Sequence, residues 1–252
     1  VRLLVIGNSQ AAALRLAVAP SLPPGASGPA THGALTVYFY VLPGADGPKL
    51  RRDGDRLRPK TADRDAMTTI DGDVAGGVDP RAFDAVLVSA AGLPPDRGRP
   101  GHVVTDLTIA ALAPERQEGV SHAVFHRTMV ATYGAGNAWK SITLIREASP
   151  GPLLIEPWAM PTRDVLTRRE SAAVDRYGGH RFFAWYAAAQ RAMLEELVAR
   201  DLGEATVLPH PPAAAGEPGF TADAFRTGDP WHMNGRYGAL VLELAAAALA
   251  AR

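Results

Sequence analysis

The sequence predicts an α/β protein built on a mostly parallel sheet of about five strands. Three observations predict it. Short apolar runs at 1–7, 35–42, 83–90, 152–155 and 206–208 each have the length of a buried strand. Stretches of helix-forming residues separate most of them, so strand and helix alternate along the chain. Hydrophobic residues fill 47% and charged residues 21% of the 252 positions, a globular mixture that argues against wholesale disorder and suffices for one large core.

Taken in order, Val1–Gly7 is apolar without alternation and ends in Gly-Asn-Ser, which reads as a strand closed by a tight turn. Gln10–Ala19 places Ala11, Leu14, Leu16 and Val18 among good helix formers, so the chain opens strand, turn, helix. Pro, Gly and Ser make 21–33 a loop. Leu35–Leu42 is rich in β-branched and aromatic residues and stops at Pro43-Gly44, giving a second strand. The polar stretch 45–80 carries two turn signals, Asp53-Gly54-Asp55 and Asp71-Gly72-Asp73. It has too few large apolar residues for a core, so it reads as a hairpin excursion from a single domain spanning 1–252. Phe83–Ala90 is the third strand, and a Pro/Gly loop follows at 92–101. Two or three helices are expected between Thr105 and Glu147. Pro152–Ile155 is the fourth strand, ending at Glu156-Pro157. Arg163–Asp201 reads as a long helical stretch open to a break at Gly178-Gly179. Its Phe182, Phe183, Trp185, Tyr186, Met193, Leu194 and Leu197 fall at helical spacing and read as a core face. Thr206–Leu208 supplies a fifth strand, and Tyr237–Ala251 the closing helix.

Composition excludes several classes of function. Lys and Arg total 26, as do Asp and Glu, and no basic stripe is visible, which argues against a nucleic-acid partner. The absence of cysteine excludes a disulfide framework and a thiol nucleophile, and argues against structural zinc. Lysine occurs only at 49, 60 and 140, and with abundant Ala, Gly and Pro this points to a GC-rich bacterial genome. No apolar run is long enough to span a bilayer; the 240–250 stretch is short and interrupted by Glu243. No secretory signal pattern is visible, so a cytoplasmic location without a membrane partner is expected.

In parallel sheets ligands bind beyond the carboxyl ends of the strands. The first segment there is Gly7-Asn8-Ser9-Gln10. A serine where a sharp turn meets a helix N-terminus points its hydroxyl to the ligand side, near backbone N–H groups able to stabilise an oxyanion. Helix capping by Asn8 or Ser9 is the competing reading. A nucleotide loop is not supported, since neither G-x-G-x-x-G nor a following Gly-Lys-Ser/Thr is present. The second segment is Asp229-Pro230-Trp231-His232-Met233-Asn234. An Asp three residues before a His can hold the imidazole tautomer and leave the other ring nitrogen as a general base. The competing reading is an Asp-Pro helix start beside a surface or core histidine. A serine hydroxyl needs such a base to become nucleophilic, so the two segments gain meaning together.

On these two segments the chain resembles the SGNH (GDSL-like) hydrolases. The resemblance implies a flavodoxin-like three-layer α/β/α sandwich. It implies Ser9 as nucleophile, His232 as base and Asp229 as the orienter of His232. It also implies an oxyanion hole formed by the N–H groups of Ser9 and Gly44, and it calls for no metal or other cofactor. The chain departs from the family pattern in two places. Gly-Asn-Ser stands for Gly-Asp-Ser, and Ala91-Gly92-Leu93 stands for Gly-x-Asn, so Leu93 occupies the position of the family's third oxyanion donor. The Asn8 side chain, the Gly92 N–H and Asn137 are the candidate replacements. The implied activity is that of a serine esterase acting through an acyl-enzyme on a small-molecule or glycan acyl ester. The alternatives are an O-acyltransferase or deacetylase on a polysaccharide, and a binding module with impaired catalysis. Acyl chain, alcohol moiety and oligomeric state stay open.

Lesser features complete the reading. Gln10, Trp158 and Asn137 are candidate substrate contacts. Glu156 could pair with an arginine or sit in the core. His122 and His126 share a helix face but lack the H-E-x-x-H pattern, so a metal site is not expected. Arg163, Arg168 and Arg169 read as a solvated face, and Asn234 as a helix cap.

Overall fold

Leu3, Leu4, Val5 and Ile6 have no exposed surface, which requires a strand covered on both faces. They lie on β1 (Arg2–Gly7) in a computed structural model that describes residues 1–21, 28–42, 49–60, 67–68, 76–92, 121–167 and 179–252. β1 belongs to a seven-stranded sheet. It pairs in parallel with β3 (Leu35–Val41) on one side and β7 (Ala85–Ala91) on the other. Beyond β7 come β8 (Leu153–Pro157) and then β9 (Thr206–Val207), both parallel. The five expected strands therefore all form and lie side by side.

Two antiparallel strands were not expected. β2 (Ala30–His32) falls in the stretch read as loop, and β6 (Met67–Thr68) also pairs with β3. Strands of three and two residues are too short to carry a period-2 signal. Within 45–80, β4 (Leu50–Asp53) and β5 (Arg56–Pro59) form a separate hairpin. Its two-residue turn uses Gly54 at φ +58°, a conformation that favours glycine. The 71–73 turn signal lies outside the described residues.

A 3-10 turn at Ser9–Ala11 leads into α1 (Ala12–Val18). In the region expected to hold two or three helices, α2 (His122–Ala135) and α3 (Asn137–Ala148) are separated by an extended Gly136. The long helical stretch resolves differently from expectation: Arg163–Thr167 is a 3-10 turn and α4 runs Gly179–Asp201, while 168–178 lies outside the described residues. α5 (Gly235–Ala250) closes the chain. Phe183, Tyr186, Met193, Leu194 and Leu197 of α4 are buried, as their spacing predicts.

Alternate residues of β1 serve opposite faces of the sheet. Leu3 and Val5 join Leu14 and Val18 of α1 and Val241 and Leu242 of α5. Leu4 and Ile6 join Phe125, Met129, Ile142 and Leu194 of α2, α3 and α4. The α1–α5 contact is backbone on backbone. A Cβ on Gly238 would lie 2.0 Å from the Ala13 carbonyl oxygen, and one on Gly235 would lie 2.9 Å from the Leu16 carbonyl carbon. These two glycines draw the segment before α5 toward the turn before α1. Among the described residues no helix is long and apolar enough to cross a membrane.

Candidate functional site

β1 ends at Gly7, where a Cβ would lie 3.0 Å from both Ala11 Cβ and Ser89 Cβ, so glycine lets the turn fold tightly against β7. Asn8 is fully buried, and its Oδ1 accepts from the Gln10 N–H at 2.9 Å, which caps the 3-10 turn. Ser9 is left exposed at the first position of that turn. Gln10 turns inward and its Nε2 donates to the Trp231 carbonyl at 3.0 Å. Rather than facing a substrate, Gln10 ties the opening turn to the 229–234 segment.

Asp229 acts through both oxygens. Oδ1 accepts from the backbone N–H groups of Trp231 at 2.8 Å and His232 at 3.0 Å, while Oδ2 lies 2.8 Å from His232 Nδ1. Capping the turn and orienting the imidazole, which the sequence offered as alternatives, are thus one arrangement. Partial burial works to raise the Asp229 pKa, but hydrogen bonds from His232 and from the Trp231 N–H outweigh it and hold the carboxyl below its usual range. The surrounding turn is braced: the His232 carbonyl accepts from Thr227 N at 2.9 Å, and the Pro230 carbonyl from Thr162 N at 2.9 Å. Asn234 caps α5, its Oδ1 accepting from Arg236 N at 3.0 Å and Tyr237 N at 3.3 Å.

His232 Nε2 lies 3.4 Å from Ser9 Oγ, across 223 positions of sequence. With Nδ1–H donated to Asp229, Nε2 presents its lone pair toward the hydroxyl. The contact is long for an O–H···N bond, and such contacts are often loose before substrate arrives. Chemically the trio can withdraw a proton from Ser9 and hold the resulting imidazolium beside a carboxylate.

At the end of β7 the backbone is strained. Ala90 sits at φ +59° and Gly92 at φ +117°, and the β7–β8 register shifts between Val88 and Ala91. The Gly92 N–H, expected as an oxyanion donor, donates instead to the Tyr133 hydroxyl at 2.7 Å. Asn137 is exposed, its Oδ1 accepting from Lys60 Nζ at 3.1 Å, and among the described residues no hydrogen bond brings it to Ser9 or His232. Asn8 Nδ2 is buried with no partner among the described residues, so of the three replacements it alone keeps donor capacity next to Ser9. Gly44 and Leu93 lie outside the described residues. Trp158 is buried and lines a cavity whose lining does not include Ser9.

Among the described residues no arginine pairs with Glu156. Glu156 is 6% exposed and accepts from Ser89 Oγ at 2.6 Å. Burial pushes its carboxyl up to about 7, against the hydrogen bonds from Ser89 and the Ala90 N–H that favour ionisation. Sequence reasoning missed Ser89 and Tyr133. The available signal for Ser89 was a lone hydroxyl inside the apolar run of β7. His126 Nε2 lies 2.7 Å from Glu196, and the His122 ring centre is 5.5 Å from that of Trp185. Arg163 pairs with Glu217, while Arg168 and Arg169 lie outside the described residues. Among the described residues no three His, Asp or Glu side chains gather as metal ligands would.

No family model matches this sequence, and no curated protein does. Among solved structures the chain is similar to the crystal structure of a DUF4886 family protein from Bacteroides uniformis ATCC 8492. The TM-score is 0.43 at 13% identity, over 100% of this chain and 83% of that one. So distant a likeness carries no functional argument.

Proposed function

We propose that this protein is a serine ester hydrolase of the SGNH type. The observation that carries the reading is the chain of contacts Ser9 Oγ to His232 Nε2 at 3.4 Å and His232 Nδ1 to Asp229 Oδ2 at 2.8 Å. The strand order supports it as well. The five parallel strands run second, first, third, fourth, fifth across the sheet, which is the flavodoxin-like order, and Ser9 leaves the first of them.

In this mechanism Ser9 attacks the ester carbonyl while His232 takes its proton. The carbonyl oxygen gathers negative charge and is met by the Ser9 N–H. His232 then hands the proton to the departing alcohol. Water, activated by the same imidazole, releases the acid from the acyl-enzyme. The substrate class is a small-molecule or glycan acyl ester. The expected outcome is that wild-type protein hydrolyses p-nitrophenyl acetate and that Ser9→Ala lowers kcat by about 1,000-fold or more. Equal rates for the two proteins, above the spontaneous rate, would refute the assignment of Ser9.

One observation favours a second reading, a binding module with weak catalysis. Leu93 stands at the family's donor position, and Tyr133 holds the Gly92 N–H. Loss of one oxyanion donor costs about 100- to 1,000-fold in kcat. Absence of turnover on any ester by a folded wild-type protein favours this second reading.

A further inference from the structure

Among the described residues Ala90 is the only one other than glycine at positive φ. An L-residue in that conformation is strained, and such strain persists only where the surroundings impose it. Hydrogen bonds from three directions impose it here. The Glu156 carboxyl accepts from Ser89 Oγ at 2.6 Å and from the Ala90 N–H. The Ala91 carbonyl accepts from Trp158 N at 2.9 Å, and the Gly92 N–H donates to the Tyr133 hydroxyl at 2.7 Å. Each residue from Ser89 to Gly92 is thus tied to β8, to the residue just after it, or to α2. A buried carboxyl needs partners, and Glu156 finds them in this strained corner.

The corner abuts the turn that carries Ser9. A Cβ on Gly7 would lie 3.0 Å from Ser89 Cβ and 3.3 Å from the Ser89 carbonyl oxygen, so the two chains meet there without slack. Ser9 follows Gly7 by two residues, and the fully buried Asn8 between them caps the turn. In so close a packing a displaced Ser89 shifts Gly7, and the Ser9 turn with it. His232 is placed by bonds of its own turn, from Asp229 and Thr227. The Ser9–His232 contact is already 3.4 Å, so a small shift of one turn against the other weakens it steeply.

We propose that Glu156 is a positioning residue for the Ser9–His232 pair: by holding Ser89 and Ala90 it sets where the Ser9 turn stands. The inference rests on the ester-hydrolase reading. Hydrolysis of p-nitrophenyl acetate, with rates per folded protein, tests it alongside amide hydrogen exchange. Glu156→Leu removes both acceptors at similar size, and Glu156→Gln keeps an acceptor oxygen. The expected result is that Glu156→Leu lowers kcat about tenfold or more, with KM within about twofold of wild type. Glu156→Gln recovers most of that loss. Ala90→Gly takes the positive φ without strain, so in the Glu156→Leu background it returns kcat to within about threefold of wild type. Exchange of the Gln10 amide, held by Asn8, quickens about tenfold or more in Glu156→Leu. Exchange of the His232 amide, held by Asp229, stays within about threefold. A role in stability alone would leave kcat of the folded protein unchanged. Undiminished kcat in folded Glu156→Leu, beside an inactive Ser9→Ala, overturns the proposal and leaves the ester-hydrolase reading standing. Unchanged Gln10 exchange, or no recovery in either rescue, also overturns it. No turnover by wild type, or equal turnover by Ser9→Ala, overturns the reading and the proposal together. Should Glu156→Leu fail to fold, Ser89→Ala decides, since it removes one of the two bonds. Its kcat is expected to fall about threefold or more, and full kcat would overturn the proposal.

Discussion

Asp229 shows how one carboxylate can close a turn and orient an imidazole at once. One oxygen closes the turn through two backbone N–H groups, and the other fixes which imidazole nitrogen faces Ser9. Asp229→Asn keeps an oxygen for the turn but sets an amide N–H against Nδ1, which favours the wrong tautomer. It should leave thermal stability nearly intact and lower kcat on p-nitrophenyl acetate by roughly 1,000- to 10,000-fold. Glu156 invites a stability measurement. Its carboxyl rises from an ordinary 4.5 to about 7 on folding, so between those values the folded state holds more protons than the unfolded one. Its contribution to stability therefore declines as pH rises through that window. Glu156→Gln removes the titration and keeps an acceptor for Ser89. Urea unfolding should show the variant gaining about 2–4 kcal/mol on wild type between about pH 5 and about pH 8. An unchanged difference would mean that Glu156 is not held neutral. At this scale Ser9, Asp229 and His232 were legible because the spacing of each motif is local. The Ser89–Glu156 bond was not, because its partners are 67 positions apart and meet only once β7 and β8 pair.

At the scale of elements, α1 and α5 carry the site. Each begins just after a segment of the candidate site, and their contact lets Gln10 reach the Trp231 carbonyl. The contact depends on Gly238, where any Cβ meets the Ala13 carbonyl oxygen. On helix propensity alone Gly238→Ala would be favourable by about 1 kcal/mol. Overpacking reverses the sign, and a net loss of about 1–3 kcal/mol is expected, with a lower kcat as His232 moves from Ser9. Gly28→Ala, with nothing within 4 Å, is the control and should stay within about 0.5 kcal/mol of wild type. Denaturant melts of the two variants decide the point. The sequence revealed both helices through their apolar residues, but nothing local singles out Gly238. What marks it as a contact is the partner backbone, which no local pattern encodes.

Across the whole molecule, the central strands β1, β7 and β8 were legible because each is buried on both faces and reads as a short, mostly apolar run. Their lateral order was not legible in the runs themselves, which look alike, and entered only as what the family resemblance implies. The edge strands β2 and β6 were hidden for a different reason: three and two residues give no period. The convergence of the two chain ends is the property on which the proposed chemistry depends. The opening strand delivers Ser9 to the carboxyl edge of the sheet, and the segment before the last helix returns His232 to it. The most direct test is covalent labelling with a fluorophosphonate probe, followed by mass-spectrometric mapping of the modified residue. The account predicts a single modification on Ser9 in wild type, strongly slowed in His232→Ala and absent in Ser9→Ala. Labelling on another residue, or none on folded wild-type protein, would contradict it.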